Sequence, residues 1–302
     1  MKGPYLTRFQ IRDLEEFTGI KAHTIRMWEK RYDLLQPERT DTNIRYYDLD
    51  ALKSLLNVAY LNQRGYKISR IASLSNLERD QLVKETALAE KDLGDAINTL
   101  KLAMLSFDES LFDSVSLRFR NKEGFRGLVE ELYLPLLQHL GMLWQANAIC
   151  PSHEHFISNL VRQKLVAEID AIAPSNQPGE HAVVLFLPEN EIHELGLLYV
   201  TYLVRAAGKR TIYLGQSVPA DDLAQVGELY KGKLTFISFI TAFPHADHLP
   251  AYLRGIASSL PMDRCEIWLS GGMVARSDTK SWPKKVLGFP HVKDLIAHLS
   301  KL

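Results

Sequence analysis

A histidine flanked by two carboxylates stands where an apolar run ends: Glu191-Ile192-His193-Glu194-Leu195-Gly196 follows closely on Ala182 to Pro188, which reads as a buried strand. An imidazole at the carboxyl end of a parallel strand, with a carboxylate two residues before it and a glycine three after, is well placed to ligate a metal-bearing cofactor. Glu191 can accept the N–H of one ring nitrogen, which fixes the tautomer and raises the basicity of the other. Taken alone, His193 also reads as an imidazole capping the helix that starts here, with Glu191 and Glu194 as favourable charges on its first turn. Two further stretches favour the ligand. Ser238-Phe239-Ile240-Thr241 ends one later strand with hydroxyls, and Ser270-Gly271-Gly272 ends another with two glycines that let a ligand approach the backbone.

A second group of residues suits a nucleic acid. His23-Thr24-Ile25-Arg26-Met27-Trp28-Glu29-Lys30-Arg31-Tyr32 alternates polar donors with apolar anchors. Ile25 and Trp28, three apart, face inward and leave His23, Thr24, Arg26, Lys30 and Arg31 for a groove. Downstream, Arg39, Asn43 and Arg45 reach toward phosphates on the flank. Arg26 and Arg31 have an alternative, an ion pair within the helix to Glu29 or Asp33. The whole chain is neutral, 36 basic against 36 acidic residues, but residues 1 to 75 hold 13 Lys and Arg against 9 Asp and Glu. A local basic excess is what a DNA-binding module inside a neutral protein requires. A third group, Trp144 with Glu154-His155 ten residues on, offers an indole face, a carboxylate and an imidazole. Trp144 equally reads as a core anchor, and Glu154-His155 as a solvated helix start after Pro151-Ser152.

The elements that position these groups follow from periodicity. Short helices are predicted over Ile11 to Phe17, Ala22 to Tyr32, Leu49 to Arg64 and Ile68 to Ala72, with a small β wing between Glu38 and Tyr46. From about Arg79 to Ile172, apolar residues such as Leu93, Ile97, Leu100 and Met104 recur at helical spacing, which predicts an α bundle. The run from Ala173 to Glu180, with two prolines and a glycine, reads as a linker. Beyond it, strands are predicted at Ala182 to Leu187, Thr211 to Leu214, Leu234 to Ile240, Glu266 to Ser270 and Val286 to Phe289, alternating with helices. That alternation predicts a flavodoxin-like parallel sheet with its ligand crevice at the strands' carboxyl ends.

With 302 residues and 46% hydrophobic content, the expectation is a globular multidomain protein of three parts: 1–78, 79–175 and 181–302. No apolar run is long enough for a membrane span and the N-terminus lacks the core of a signal peptide, so the expected location is the cytoplasm. Cys150 and Cys265 are too few for a disulfide framework and are expected to be buried thiols.

Several motifs carry a family resemblance. Ile25 to Pro37, followed by Arg39, Asn43 and Arg45-Tyr46-Tyr47, resembles the winged helix-turn-helix of MerR-type regulators over about residues 6 to 75. Those regulators dimerise through a long helix after the DNA module, whereas this chain continues into a bundle, so its operator spacing does not carry over. Glu191, His193, Gly196, Ser238, Ile240, Gly271 and Gly272 together resemble the cobalamin-binding domain of methyltransferases and mutases. The resemblance implies base-off binding in which His193 is the lower ligand of cobalt, with the cofactor's nucleotide tail running into the sheet past Ser238 and Gly271. Trp144, nine residues, then Glu154-His155 is similar to the signature of light-responsive repressors of the CarH/LitR type. In these, a MerR-like reader, a four-helix bundle and a cobalamin domain occur in this order. The resemblance implies that Trp144, Glu154 and His155 surround the adenosyl group of adenosylcobalamin. Relatives often place a histidine directly after the tryptophan, where this chain has Gln145; after photolysis either His153, His155 or His139 substitutes for it as a cobalt ligand or the photolysed form stays water-ligated.

The expected function is a non-enzymatic transcriptional repressor whose adenosylcobalamin senses light, assembling as a dimer or tetramer on a double-stranded DNA operator. A second reading keeps these folds but makes the cobalamin domain vestigial or light-independent, with protein partners doing the switching. A third, from a different class, is a corrinoid methyl carrier, against which stand the DNA-reading first quarter and the lack of any segment long enough for a substrate barrel.

Overall fold

The computed structural model describes residues 9–39, 43–88, 93–145, 151–175 and 181–302. Thr40, Asp41 and Thr42 of the wing, the linker residues 176–180 and Cys150 lie outside them. The chain divides into two compact units, residues 1–160 and 161–302.

In the first unit, α1 (Ile11–Thr18) and α2 (Ala22–Tyr32) are joined by a turn whose chemistry is explicit. Gln10 N–H donates to Asp13 Oδ2 at 2.7 Å to start α1, and Gly19 ends it in the left-handed conformation at φ 71°. Glu15 then accepts from Lys21 Nζ (2.8 Å) and from the Ala22 amide (3.0 Å), which fixes the start of α2 against α1. The wing is present as β1 (Glu38–Arg39) and β2 (Arg45–Tyr46), antiparallel, with Glu38 opposite Tyr46. At its base Phe9 and Tyr47 exchange both main-chain hydrogen bonds (2.7 and 2.8 Å). Next come α3 (Leu49–Gln63), capped by Asp48, then α4 (Ile68–Ser73) and α5 (Asn76–Leu88). Leu14, Phe17, Ile25, Leu52 and Leu55 form the core beneath them. Burial of each such side chain is worth roughly 1.5–3 kcal/mol over exposure.

Four helices follow, as the periodicity predicts: α6 (Leu93–Ser106), α7 (Glu109–Gly127), α8 (Leu134–Gln145) and α9 (Pro151–Asp170). α7 kinks at Gly124 (φ 72°) and passes through a π-helical stretch, Leu128–Tyr133, into α8. Leu100 to Leu105 are buried on every side of α6, Lys101 included. Burial pushes the Lys101 amine down to about 8.

The second unit is an α/β sheet built from β3 (Ala182–Pro188), β4 (Arg210–Val218), β5 (Leu234–Phe239), β6 (Cys265–Ser270) and β7 (Val286–Phe289). All pairings are parallel and the order is β4-β3-β5-β6-β7, the flavodoxin-like arrangement. The helices between are α10 (Leu195–Ala206), α11 (Ala220–Leu229), α12 (Leu249–Ser259), α13 (Gly272–Arg276) and, at the end, α14 (Val292–His298). All seven residues of β3 are buried because the sheet is covered on both faces. Val184, Phe186 and Phe236 point to the face of α11 and α12; Val183, Leu185, Leu187 and Ile237 point to the face of α10 and α14. Cys265 is a buried free thiol, as expected. No helix among the described residues is long and apolar enough to cross a membrane.

Candidate functional site

β3 sits between β4 and β5, so the connections leaving β3 and β5 diverge to opposite sides and open a crevice at their carboxyl ends. The His193 segment leaves β3 into this crevice, and the segment Thr241-Ala242-Phe243 leaves β5 into it. Glu191 joins them. Its Oε2 accepts the amides of Thr241 (2.9 Å), Ala242 (2.7 Å) and Phe243 (3.0 Å). Its Oε1 accepts the amides of Ile192 (3.0 Å) and His193 (3.1 Å) and meets His193 Nδ1 at 2.5 Å. The carboxylate is fully buried, while about half of the His193 side chain (53%) is exposed. The pair therefore places a rigid, buried anchor under an imidazole that faces outward.

Burial alone raises the pKa of Glu191, but hydrogen bonds from the His193 ring and from the backbone overcome it and hold the carboxyl at about 2 against an ordinary 4.5. Because the folded value lies below the unfolded one, the ionised carboxylate stabilises the fold above pH 4.5, and this contribution is lost as pH falls toward 2. A depression of this size corresponds to about 3 kcal/mol at neutral pH. Glu191→Gln is expected to lower unfolding stability at pH 7 by this order, with the gap to wild type closing between pH 4.5 and 2. A pH series of urea unfolding curves checks it; a gap independent of pH would mean that the ionised form is not what holds the two loops.

The other residues expected at this site divide in two. Ser238 is fully buried near the end of β5, and its Oγ has no hydrogen-bond partner among the described residues. Gly271 has φ 118°, and a Cβ there would stand 2.5 Å from the Ile240 carbonyl oxygen; Gly272 has ordinary room, 3.6 Å from the Thr241 oxygen. Gly196 and Ile240, like Gly271, are accounted for by packing. A Cβ on Gly196 would stand 2.9 Å from the Phe239 ring, so the glycine lets α10 close onto β5. Ile240 is a core residue, and its main-chain N–H and C=O are taken by Ser270 and Met273.

Glu194 is more than the first-turn charge expected of it. It is buried, accepts the Tyr213 hydroxyl at 2.8 Å, and is ion-paired with Arg162 of α9. Burial, together with the bond to Glu194, pushes the Tyr213 phenol up. Periodicity had no means of finding this cluster, because its three members come from α9, the start of α10 and β4.

In the helical part, Glu154 and His155 begin α9 as a pair: Glu154 Oε2 lies 2.8 Å from His155 Nδ1, and Ser158 donates to the same carboxylate. The His155 ring is 70% exposed. Trp144 and Gln145 fall in the last turn of α8, and their side chains lie outside the described set. His153 is buried and stacked on Phe107 at 4.9 Å, with its pKa lowered by burial and by Lys53. His139 Nε2 is buried with no partner among the described residues, and burial and Lys101 lower its pKa.

On α2 of the first unit, His23, Arg26, Lys30 and Arg31 are exposed over buried Ile25 and Trp28, while Thr24 is half-buried. Arg26, Lys30, Arg39 and Arg45 line one concavity between α2 and the wing. Arg39 Nη1 donates to Asn43 Oδ1 at 2.5 Å, which stiffens the wing. Glu29 is not given over to Arg26: its carboxylate accepts the Tyr47 hydroxyl and faces Arg45 Nε at 3.9 Å, tying α2 to the base of the wing. The Arg31 guanidinium lies over the Tyr32 ring, 5.4 Å from its centroid. Sequence reasoning missed Met27, which is half exposed on the same helix face, four residues from His23.

The family model for the MerR HTH family regulatory protein matches residues 9–77, and the model for the B12 binding domain matches residues 96–167. The chain is 29% identical over 279 residues to the HTH-type transcriptional repressor CarH of Myxococcus xanthus, covering 89% of this chain and 90% of that one. It is 25% identical over 239 residues to the HTH-type transcriptional repressor CarA of the same organism, covering 77% of each. Among solved structures, the monomethylamine corrinoid protein of Methanosarcina barkeri aligns with a TM-score of 0.49 and 13% identity, over 73% of this chain and 96% of that one. The chain thus carries a segment similar to the MerR HTH family followed by one similar to the B12 binding domain.

Proposed function

We propose that this protein is a cobalamin-dependent DNA-binding transcriptional repressor, and that its ligand is adenosylcobalamin read out by light. The observation that carries the reading is the imidazole of His193, oriented by a buried carboxylate at the switch point of the sheet, in a chain that begins with a DNA-reading head.

The donor set fits the cofactor. His193 would hold the cobalt through Nε2, with Glu191 keeping Nδ1 protonated and the ring in register. Ser238 has a buried hydroxyl to give to the nucleotide tail, and Gly272 leaves room for close approach to the backbone. Trp144 covers the adenine, and Glu154 with His155 hydrogen-bonds the ribose; the carboxylate–imidazole pair that opens α9 supports that assignment. Bound there, adenosylcobalamin supplies a cobalt–carbon bond that light cleaves. The domains in this reading are 1–78, 79–175 and 181–302. In the dark the loaded chain assembles as a dimer or tetramer, because a ligand stabilises whichever assembly binds it better, and several tethered reading heads hold an operator more tightly than one.

The test is absorbance, particle size and operator retention of the loaded protein before and after green light. A spectral change with loss of assembly and of DNA is expected; an unchanged spectrum and size would defeat the light-sensing reading. On the DNA side, Arg26→Ala and Lys30→Ala are each expected to weaken binding and to lower the slope of log affinity against log salt by about one if each meets a phosphate. A reduced affinity for one operator base with an unchanged slope would instead mark a base contact.

A further inference from the structure

We infer that Arg162 is a positioning residue for His193, acting through Glu194. This rests on His193 being the cobalt ligand.

Glu194 follows His193 directly in the chain and stands at the N-cap of α10, yet its side chain caps nothing. Both of its oxygens are committed elsewhere, Oε1 to Arg162 and Oε2 to Tyr213. The segment carrying His193 is therefore gripped on both sides of the imidazole: Glu191 by the β5 loop, Glu194 by α9 and β4. α9 is fixed at a second point as well. Arg205, in the last turn of α10, donates Nη1 to the Ile169 carbonyl at 3.1 Å and Nε to Thr211 Oγ1 at 3.0 Å. Arg162 and Ile169 are seven residues apart, about 10 Å along a helix. Two such contacts fix the second half of α9 in both position and rotation beside α10.

The energetics favour a positional role over a stabilising one. A carboxylate as buried as Glu194 loses its hydration, and a buried ion pair recovers little of that relative to an apolar pair of the same size. What the ion pair supplies is register, since α9 can slide or turn against α10 only by stripping Glu194 of its cation.

The experiment uses the full-length chain with Arg162→Ala and Arg162→Lys. In the cofactor-free protein, hydrogen exchange of peptides spanning residues 189–195 is expected to speed up in Arg162→Ala, with Arg162→Lys in between and little change in β3 or β6. In the dark, the affinity of Arg162→Ala for adenosylcobalamin is expected to fall about ten-fold, the scale of groups that orient a metal ligand. The absorbance signature of imidazole ligation is expected to weaken with it. Unchanged exchange over residues 189–195, or a uniform rise across the whole sheet, overturns the inference. If wild type itself takes up no adenosylcobalamin, the cofactor reading falls and the inference about its ligand falls with it. If wild type loads and Arg162→Ala loads equally well with the same spectrum, Arg162 alone is wrongly assigned.

Discussion

His193→Ala is expected to lose cobalamin on gel filtration, with an affinity at least about a hundred-fold below wild type, or roughly 2.7 kcal/mol. The His193 ring is half exposed and forms no part of either apolar cluster, so its removal takes no packing from the core. Glu191 keeps all five backbone amides without it. Thermal unfolding of the cofactor-free variant should therefore match wild type within a few degrees, which separates loss of a ligand from loss of a fold. Added imidazole should restore part of the binding by filling the gap left by the ring. Cobalamin retained at wild-type affinity in His193→Ala would end the lower-ligand assignment and every step built on it.

Gly271→Ala should show the largest effect on stability. The residue has φ 118° and ψ 173°, where an L side chain is strained by about 1–3 kcal/mol. The new methyl would also stand within 3 Å of three backbone atoms of Ile240: the oxygen at 2.5 Å, the carbonyl carbon at 2.8 Å and the nitrogen at 2.9 Å. No rotamer relieves this, because the colliding atoms belong to a main chain already bonded to Ser270 and Met273. A loss of about 3 kcal/mol or more follows, a large share of the 5–15 kcal/mol that holds a typical domain. Urea unfolding followed by circular dichroism measures it. Gly272→Ala is the control: its Cβ would meet only the Thr241 oxygen at 3.6 Å, so its cost should stay within about 0.5 kcal/mol. Equal costs for the two would mean that the turn yields and that the close approach does not constrain it.

Local pattern carried much of this molecule. The α2 bounds, Ala22 to Tyr32, are those predicted, because an amphipathic stretch between a glycine turn and a proline segment leaves little choice. The β3 and β7 runs were equally clear, and so was the pairing of Glu191 with His193, which are two residues apart. β4 is the instructive miss. It runs from Arg210 to Val218 rather than stopping at Leu214, because Gly215-Gln216-Ser217 has the composition of a turn but is accommodated by register shifts against β3. The rest of the site depends on long-range contacts that no spacing encodes. The amides that seize Glu191 lie about fifty residues on, Glu29 serves Tyr47 eighteen residues away, and Glu194 draws Arg162 from the preceding helix. A carboxylate beside a histidine announces itself in a sequence; its second set of donors becomes visible only once the strands are ordered.

The grip of residues 241–243 on Glu191 also sets a timetable for biosynthesis. A ribosome exposes the imidazole well before it exposes Phe243, and in that interval the carboxylate that steers the ring lacks three of its amides. On the proposed role of His193, vitamin capture waits until the third strand of the sheet has emerged and docked. On that reading, fragments cut short before that strand would fail to take up the cofactor even though they contain His193.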